Sequence, residues 1–409
     1  MNASPDRAHV VRLLVNGMEY GGWKSVRIEA GIERQARSFS LAITDRWPGA
    51  SDVPRRVVAG DACEVWIGDD LVMTGHVDAT PVSYDGSSVS VSVQGRSKTA
   101  DLVDCCPITT GTLTAPSTRW RSAAGQGGGQ KPVAVPVQSS AQWRGQKVET
   151  VAAALAAPYG VRVLTEVNTG AAIADHQVQV GETVFESIDR MMRLRQLLST
   201  DNARGDLVFI DVGSAGRAAT RLELGVNILA ASASLDFSGV FSDYVCKGQR
   251  AGNDDAFGSA VAEEEGESQD AGEQWQTGSQ ATTRDAMSKR RRVLVLKQHG
   301  QADEGSCQDR ADYERSSRRG KALQATYTVA GWRQANGALW VPNQIVQVRD
   351  PLIGFDTEML IAEVSYQLDE GGAIAQLRVG PMDGFRQKVS KPTKVKSGAG
   401  GGSNWTDVK

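Results

Sequence analysis

Along most of this chain apolar residues recur at every second position in short runs, and the runs are separated by turns of Asn, Asp and Gly. Alternation of this kind sets the apolar side chains on one face of a strand, and such turns fold strands back antiparallel. Val11-Arg12-Leu13-Leu14-Val15 runs into Asn16-Gly17, a strong hairpin signal. Gly22 to Ile28 alternates, and Ser38 to Ile43 does so again through Phe39, Leu41 and Ile43. Glu64 to Ile67 and Leu71 to Val77 make a further hairpin across Gly68-Asp69-Asp70. About six short strands with turns every 8 to 12 residues predict a β-barrel or sandwich over residues 10–103.

Two distant stretches read as the same hairpin. Val82-Ser83-Tyr84-Asp85-Gly86 leads into Val89, Val91 and Val93 and stops at Gly95. Val364-Ser365-Tyr366, with Asp369-Glu370-Gly371-Gly372 as the turn, leads into Ala375, Leu377 and Val379 and stops at Gly380. The match predicts two similar β-domains. The second takes residues 234–250 and 320–385, including Ala325 to Val329, a strand Leu339-Trp340-Val341 after the Asn336-Gly337 turn, and Ile345 to Val348. A chain built as two copies of one ring segment suits an assembly part better than an enzyme.

The period changes between the two. In residues 104–233, Val148, Val151, Ala152 and Leu155 share a helical face that Pro158 ends, and Val184, Ile188, Met191 and Leu198 form a second stripe over Thr183 to Leu198. Strands Val161 to Leu164 and Leu207 to Val212 complete an α/β insert, while Thr109 to Val137, rich in Gly and Pro, reads as loop. Residues 251–319 are a second insert. No basic residue occurs between Arg250 and Arg284, although eight acidic ones do; this is read as a disordered or excursion loop. Arg284, Lys289, Arg290, Arg291 and Arg292 follow. Ser306 then caps a charged helix to about Arg319, whose few apolar residues predict light packing on the barrel. Residues 1–9 read as a disordered N-terminus and 386–409 as a flexible basic tail.

A length of 409 residues predicts three or four domains. A hydrophobic share of 40%, a charged share of 23% and a net charge of −3 are ordinary for a soluble globular protein and give no pull toward nucleic acid or anionic membrane. No run reaches the roughly 20 apolar residues of a membrane span, and Met1 to His9 lacks a signal-peptide core, so folding in a cytoplasm is expected.

Candidate chemistry is sparse. The five cysteines (Cys63, Cys105, Cys106, Cys246, Cys307) have no CxxC pair and read as free thiols, mostly buried; the four histidines lack metal-ligand spacing. No cofactor, metal or catalytic residue is assigned. Gly125 to Gly129 lacks a phosphate-cradle frame, and no GxSxG elbow occurs. Gly95-Arg96-Ser97-Lys98-Thr99 turns the chain into a short helix at Ala100-Asp101-Leu102. Glu263 to Glu265 have no apolar wall to raise a pKa. Lys289 to Arg292 are read as an intramolecular or subunit–subunit charge match, with strand alternation putting two on each face. Trp23, Trp66, Trp332 and Trp340 should anchor cores or interfaces.

A collinear set of motifs carries a resemblance: Gly22-Trp23-Lys24-Ser25-Val26, Gly95 to Cys105, Ala157-Pro158-Tyr159-Gly160-Val161 and Glu182-Thr183-Val184-Phe185-Glu186. Gly205-Asp206-Leu207-Val208-Phe209, Tyr244 to Gly248, Gly331-Trp332 and Asn336 to Asn343 continue it. Together they resemble the baseplate hub protein of Mu-like contractile-tailed phages, itself related to the T-even phage hub and the type VI secretion spike hub. The likeness runs from about Val10 to Phe385; the loop at Thr109 to Val137 and the tail beyond Phe385 depart from it.

The resemblance implies a mainly β fold with an α/β insert: two similar β-barrel domains and two smaller mixed domains, forming a homotrimeric ring of pseudo-sixfold symmetry. It implies a non-enzymatic adapter between the sixfold tail tube (or a distal tube protein) and the threefold central spike, touching other baseplate proteins. DNA would meet it only in passage through the channel, with no membrane insertion. The expected place is the virion tail baseplate, assembled in the host bacterial cytoplasm. The hub of a tail-like or secretion particle is the alternative; a tail-associated cell-wall hydrolase comes next and a nucleic-acid-binding protein last.

Overall fold

The computed structural model describes residues 10–45, 57–84, 89–108, 112–114, 134–136, 141–195, 197–249, 278–301 and 304–385. Residues 1–9, the Gly-rich loop at 125–129, the acidic stretch at 251–277 and the tail at 386–409 lie outside them. The described residues up to Val240, with those from Arg315 onward, form one unit, and Phe241–Glu314 a second.

The first region supplies β1 (Val11–Val15), β2 (Met18–Tyr20), β3 (Ser25–Gly31), β4 (Ser38–Asp45), β5 (Ala62–Ile67), β6 (Asp70–Ala79), β7 (Val82–Tyr84) and β8 (Val89–Ser97). Asn16 and Gly17 turn β1 into β2 with φ of 51° and 77°, the doubly positive turn that twists with a hairpin. The strands pair in the order β3-β4-β8-β6-β5-β1-β2. Leu13, Ile28, Leu41, Val65, Ile67 and Met73 are fully buried on one face, as their alternation requires. The short helix α1 (Ala100–Asp104) follows.

In the insert, β9 (Thr112–Thr114) pairs with β10 (Ala134–Pro136), and β11 (Gln142–Gln146) with β13 (Ile173–Gln177). Helix α2 (Val148–Ala156) buries Val148, Val151, Ala152 and Leu155, and α3 (Val184–Arg195) buries Val184, Ile188 and Met191, as their spacing predicts. Thr183 and Glu186 close a reciprocal capping box at its start, with bonds of 2.8 and 3.1 Å. Leu198 is not on that helix. It opens β14 (Leu198–Asp201), antiparallel to β15 (Leu207–Ile210), which runs parallel to β12 (Val163–Thr165). The Asn202–Gly205 turn pulls Leu198 onto the sheet.

The expected domain boundary at residue 233 falls too late. The strands β16 (Leu222–Glu223) and β17 (Ile228–Ala233) already belong to the second β-region. Tyr244 to Cys246, expected in that region, instead lie in β18 (Asp243–Gln249), the centre of a separate sheet with β19 (Gly278–Arg284) and β20 (Val293–Gln301). Helix α4 (Glu304–Ala322) is longer than predicted and not merely lightly packed: Cys307 and Ala311 are fully buried with Tyr244, Cys246 and Ala281 in the core of the second unit. Lys289, Arg290 and Arg291 sit exposed in the turn before β20 rather than on a strand, and Arg292 lies 4.8 Å over the Phe241 ring.

The second region is completed by β21 (Ala325–Ala330), β22 (Ile345–Asp350), β23 (Phe355–Asp369) and β24 (Gly372–Gly380). Leu339 to Val341 form no strand; a single bridge joins Arg333 to Leu339, and Trp340 is buried from the loop. The pairing order is β17-β21-β24-β23-β22-β16, and a bridge between Leu224 and Ile228 brings the two ends together.

That order repeats the first region strand for strand: β3-β4-β8-β6-β5-β1, with β7 continuing β6 along β8. Each copy carries one extra residue on the first strand of its long hairpin, Asp78 between Val77 and Ala79, and Ala362 between Ile361 and Glu363. Val77 exchanges bonds with Gly60 (2.7 Å) and Asp61 (2.9 Å), and Ile361 does the same with Asn343 (2.7 Å) and Gln344 (2.8 Å). One difference is that β1 runs antiparallel to β5, whereas β16 runs parallel to β22. The repeat predicted from the sequence is present, but its Val-Ser-Tyr strings are two residues out of step: counted from the bulge, Val82 takes the place of Tyr366. The strand through Gly95 also continues to Ser97, two residues beyond the expected stop.

Candidate assembly surface

The two strand rows join along β3 and the second half of β23, where Val26 to Gly31 pair antiparallel with Leu368 to Glu363. The alternation of β3 sends Val26, Ile28 and Ala30 into the core and leaves Arg27 and Glu29 on the other face. There the charges interlock. Arg34 reaches Glu29 (2.8 Å) and Glu363 (2.9 Å), and Arg378 reaches Glu33 (2.7 Å) and Glu363 (3.2 Å). Burial pushes the Glu29 carboxyl up, but the Arg27 hydrogen bond and the Arg34 and Arg27 charges outweigh it and hold it below the usual range. Arg333 adds a tie at the far end, 2.6 Å from Asp70 and 3.2 Å from the Ile67 carbonyl.

Beside this junction lies a cleft of about 330 Å³ whose charged lining is Arg27, Glu29, Asp78 and Arg96. Its carboxylates are spoken for: Asp78 pairs with Arg96 at 2.7 Å, and Arg27 donates to Glu29 at 2.7 Å. Arg96 also reaches Asp104 at 2.7 Å, while the Ser97 and Thr99 hydroxyls share a buried bond of 2.8 Å. The Gly95–Thr99 string is therefore a strand end and helix entry. Among the described residues no group of three His, Cys, Asp or Glu is placed to hold a metal ion, and no helix is long and apolar enough to cross a membrane.

Trp332 and Trp340 are buried in the second row, Trp23 packs half-buried on the same core, and Trp66 lies partly exposed, 5.8 Å under Arg12. Cys63, Cys246 and Cys307 are buried, Cys105 is intermediate and Cys106 exposed, all as free thiols. The interlocking arginines and glutamates at the junction were not visible in the sequence, since Glu363 and Arg378 lie more than 300 residues from Glu33 and Arg34.

Three family models match the chain in order. Residues 10–97 match the N-terminal domain of the Mu phage baseplate assembly protein GpP-like family, 134–211 the second domain of the baseplate hub protein gp44-like family, and 304–388 the fourth domain of the Mu phage baseplate assembly protein GpP. The baseplate hub protein gp44 of Escherichia phage Mu is 29% identical over 400 residues, spanning 96% of this chain and 93% of that protein. The chain is a homologue of the Mu phage baseplate hub protein. It is a phage baseplate component, a structural part of the virion tail. The crystal structure of the 43 kDa tail protein of prophage MuSo2 from Shewanella oneidensis superposes with a TM-score of 0.72 at 27% identity, covering 93% of this chain and all (100%) of that one. A tail protein from Neisseria meningitidis MC58 shares the fold, with a TM-score of 0.65 at 20% identity over 94% of this chain and 99% of that one.

Proposed function

We propose that three copies of this hub close into a ring of pseudo-sixfold symmetry that adapts a sixfold tail tube to a threefold central spike and leaves a channel for DNA. One observation carries the reading: each chain holds two six-strand rows with the same strand order and the same bulged hairpin. Three chains with two equivalent segments each give six near-equivalent positions, which a sixfold partner can contact on one side while the chain as a whole remains threefold. Each row is a β-barrel segment of that ring. The work is force-bearing assembly rather than catalysis, with the particle put together in the host cytoplasm.

Light scattering across a concentration series tests the ring. A stable species near three times 43.6 kDa that shows six similar densities on imaging supports it; a strict monomer at every concentration overturns it. Zymography on peptidoglycan tests the adapter role separately, since clearing by the purified chain would replace it with a hydrolase.

A further inference from the structure

The two rows are equivalent in order, yet their outer edges are treated differently. In the second row, the far half of β23 (Glu363 to Leu368) is covered by β3 of the first row. Its counterpart in the first row is Ala79 to Tyr84, and among the described residues no strand pairs with that edge. The strand equivalent to β3 is β17, and its outer edge likewise has no strand partner beyond the single Leu224–Ile228 bridge.

We infer that these two edges pair with each other between copies: β17 of one chain adds to the β6–β7 edge of the next, repeating between chains the β3–β23 pairing made within each. The inference rests on the ring reading above and names its interface.

The register follows from the ladders. Phe39 lies opposite Gly95 and Ala325 opposite Val379, at equivalent steps from the two bulges. Ile28 lies opposite Phe39 and Ala233 opposite Ala325, so Ala233 takes the place of Ile28. Ile28 pairs with Tyr366 across the internal junction, and Val82 takes the place of Tyr366. Val82 therefore faces Ala233 of the next copy, Ser83 faces Ser232, and Tyr84 faces Ala231.

The backbone groups on the two edges point the right way for this register. At the internal junction, Ile32 N–H donates to the Ala362 carbonyl at 2.9 Å, so by alternation Tyr366 turns its backbone groups toward β3. Ser92 N–H donates to the Pro81 carbonyl at 2.9 Å, so the N–H that Pro81 lacks would have faced β8. The outward donors of Thr80, Val82 and Tyr84 are intact. Gly331 N–H donates to the Ala373 carbonyl at 2.8 Å, which turns Thr326 and its partner Ser232 toward each other and leaves Ala231 and Ala233 facing outward.

Burial agrees. Tyr366 is 2% exposed under β3, whereas its counterpart Val82 is 58% exposed. Leu229 and Leu235 are exposed on and just after β17, and Ile228–Ala233 carries no charge. An uncharged, exposed edge strand is a pairing template that monomeric proteins block. Among the described residues no strand blocks it. Each chain has one such donor edge and one acceptor edge, so the contact is heterologous, and in the ring proposed above it closes at three copies.

The test is a pair of conservative substitutions, Ser83→Cys with Ser232→Cys, in the full chain with Cys105→Ser and Cys106→Ser. Both serines are exposed, and as a non-hydrogen-bonded pair their Cα atoms would lie about 4.5 Å apart, within disulfide range. Mild oxidation should yield a covalent species at three chain masses on a non-reducing gel, and each single-cysteine chain should stay uncrosslinked. A trimeric mass in solution without crosslinking would overturn the edge pairing and leave the trimer standing; a strict monomer would overturn both. In a second variant, Ala231→Pro removes an outward N–H while sparing the β21 ladder. It should abolish the trimer without changing the monomer's circular dichroism, and a trimer of undiminished stability would overturn the proposed edge.

Discussion

Gly60 and Asn343 hold the same position in the two halves of the chain. Each has a left-handed backbone, with φ of 93° and 67°, and each donates its N–H at 2.7 Å to the residue before a bulge, Val77 and Ile361. Glycine takes that conformation freely. Asparagine takes it at a cost that its side chain offsets here, accepting from Gly213 N–H (2.8 Å) and donating to the Asp211 carbonyl (2.8 Å) and Ser214 Oγ (2.9 Å). Gly60→Ala should cost about 1 kcal/mol from backbone strain alone. Asn343→Ala should cost about 3 kcal/mol, since it keeps the strain and loses the bonds, while Asn343→Gly should fall between. Urea denaturation of the three variants checks the order.

A second pair ties the first row to the insert. The backbone N–H of Arg37 donates to Asp201 Oδ2 at 2.9 Å and its Nε to Oδ1 at 3.2 Å, while its two terminal nitrogens reach the Val72 and Asp201 carbonyls. Asp201 is 1% exposed. Burial raises its carboxyl pKa more than Arg37 and Ser97 lower it. Asp201→Ala alone should cost about 3 to 5 kcal/mol by removing the carboxylate from the Arg37 backbone N–H and Nε. The double variant Arg37→Met with Asp201→Ala should lose less than that single one, and a double-mutant cycle in urea measures the difference.

Local pattern carried the strands, the helices and the twofold repeat because each depends on neighbours within a few residues. The Asn16-Gly17 hairpin and the Val148–Leu155 stripe are of this kind. What escaped depends on distant partners. Residues 228–233 read as part of the insert because their six residues, Ile-Leu-Ala-Ala-Ser-Ala, barely alternate, and only pairing with β21 assigns them to the second row. Tyr244 and Cys246 alternate like a barrel strand, but β19 and β20 claim them. The collinear motifs identified the family, although none of them reports the junction ions, where Glu33 and Arg378 are 345 residues apart.

Gly95 shows why a glycine in a strand need not end it. A Cβ there would lie 2.2 Å from the His76 carbonyl oxygen and 2.5 Å from the Phe39 ring. The position is glycine so that Phe39 can pack flat on the ladder. Gly95→Ala should therefore cost about 3 kcal/mol through overpacking. Adding Phe39→Leu should recover part of the loss by opening space over the strand. Thermal melts of the single and double variants decide; an unaltered melting temperature in Gly95→Ala would refute the packing argument.

Glu29 should make the junction acid-sensitive. Its carboxyl is held below the ordinary value, burial being outweighed by the bond from Arg27 and the charges of Arg34 and Arg27. A depressed folded pKa means that the ionised form is favoured by folding. Its contribution is then complete above the ordinary glutamate value of about 4.3 and is lost as the pH falls through the lower folded value. Glu29→Gln should lower stability by about 1 kcal/mol at pH 7, in keeping with a half-buried, charge-assisted bond. The same variant should lose less than the parent chain between about pH 5 and pH 3. Urea midpoints measured across that range check the sign: curves for the two proteins that converge at low pH support the assignment, and curves that stay parallel remove Glu29 from the acid response.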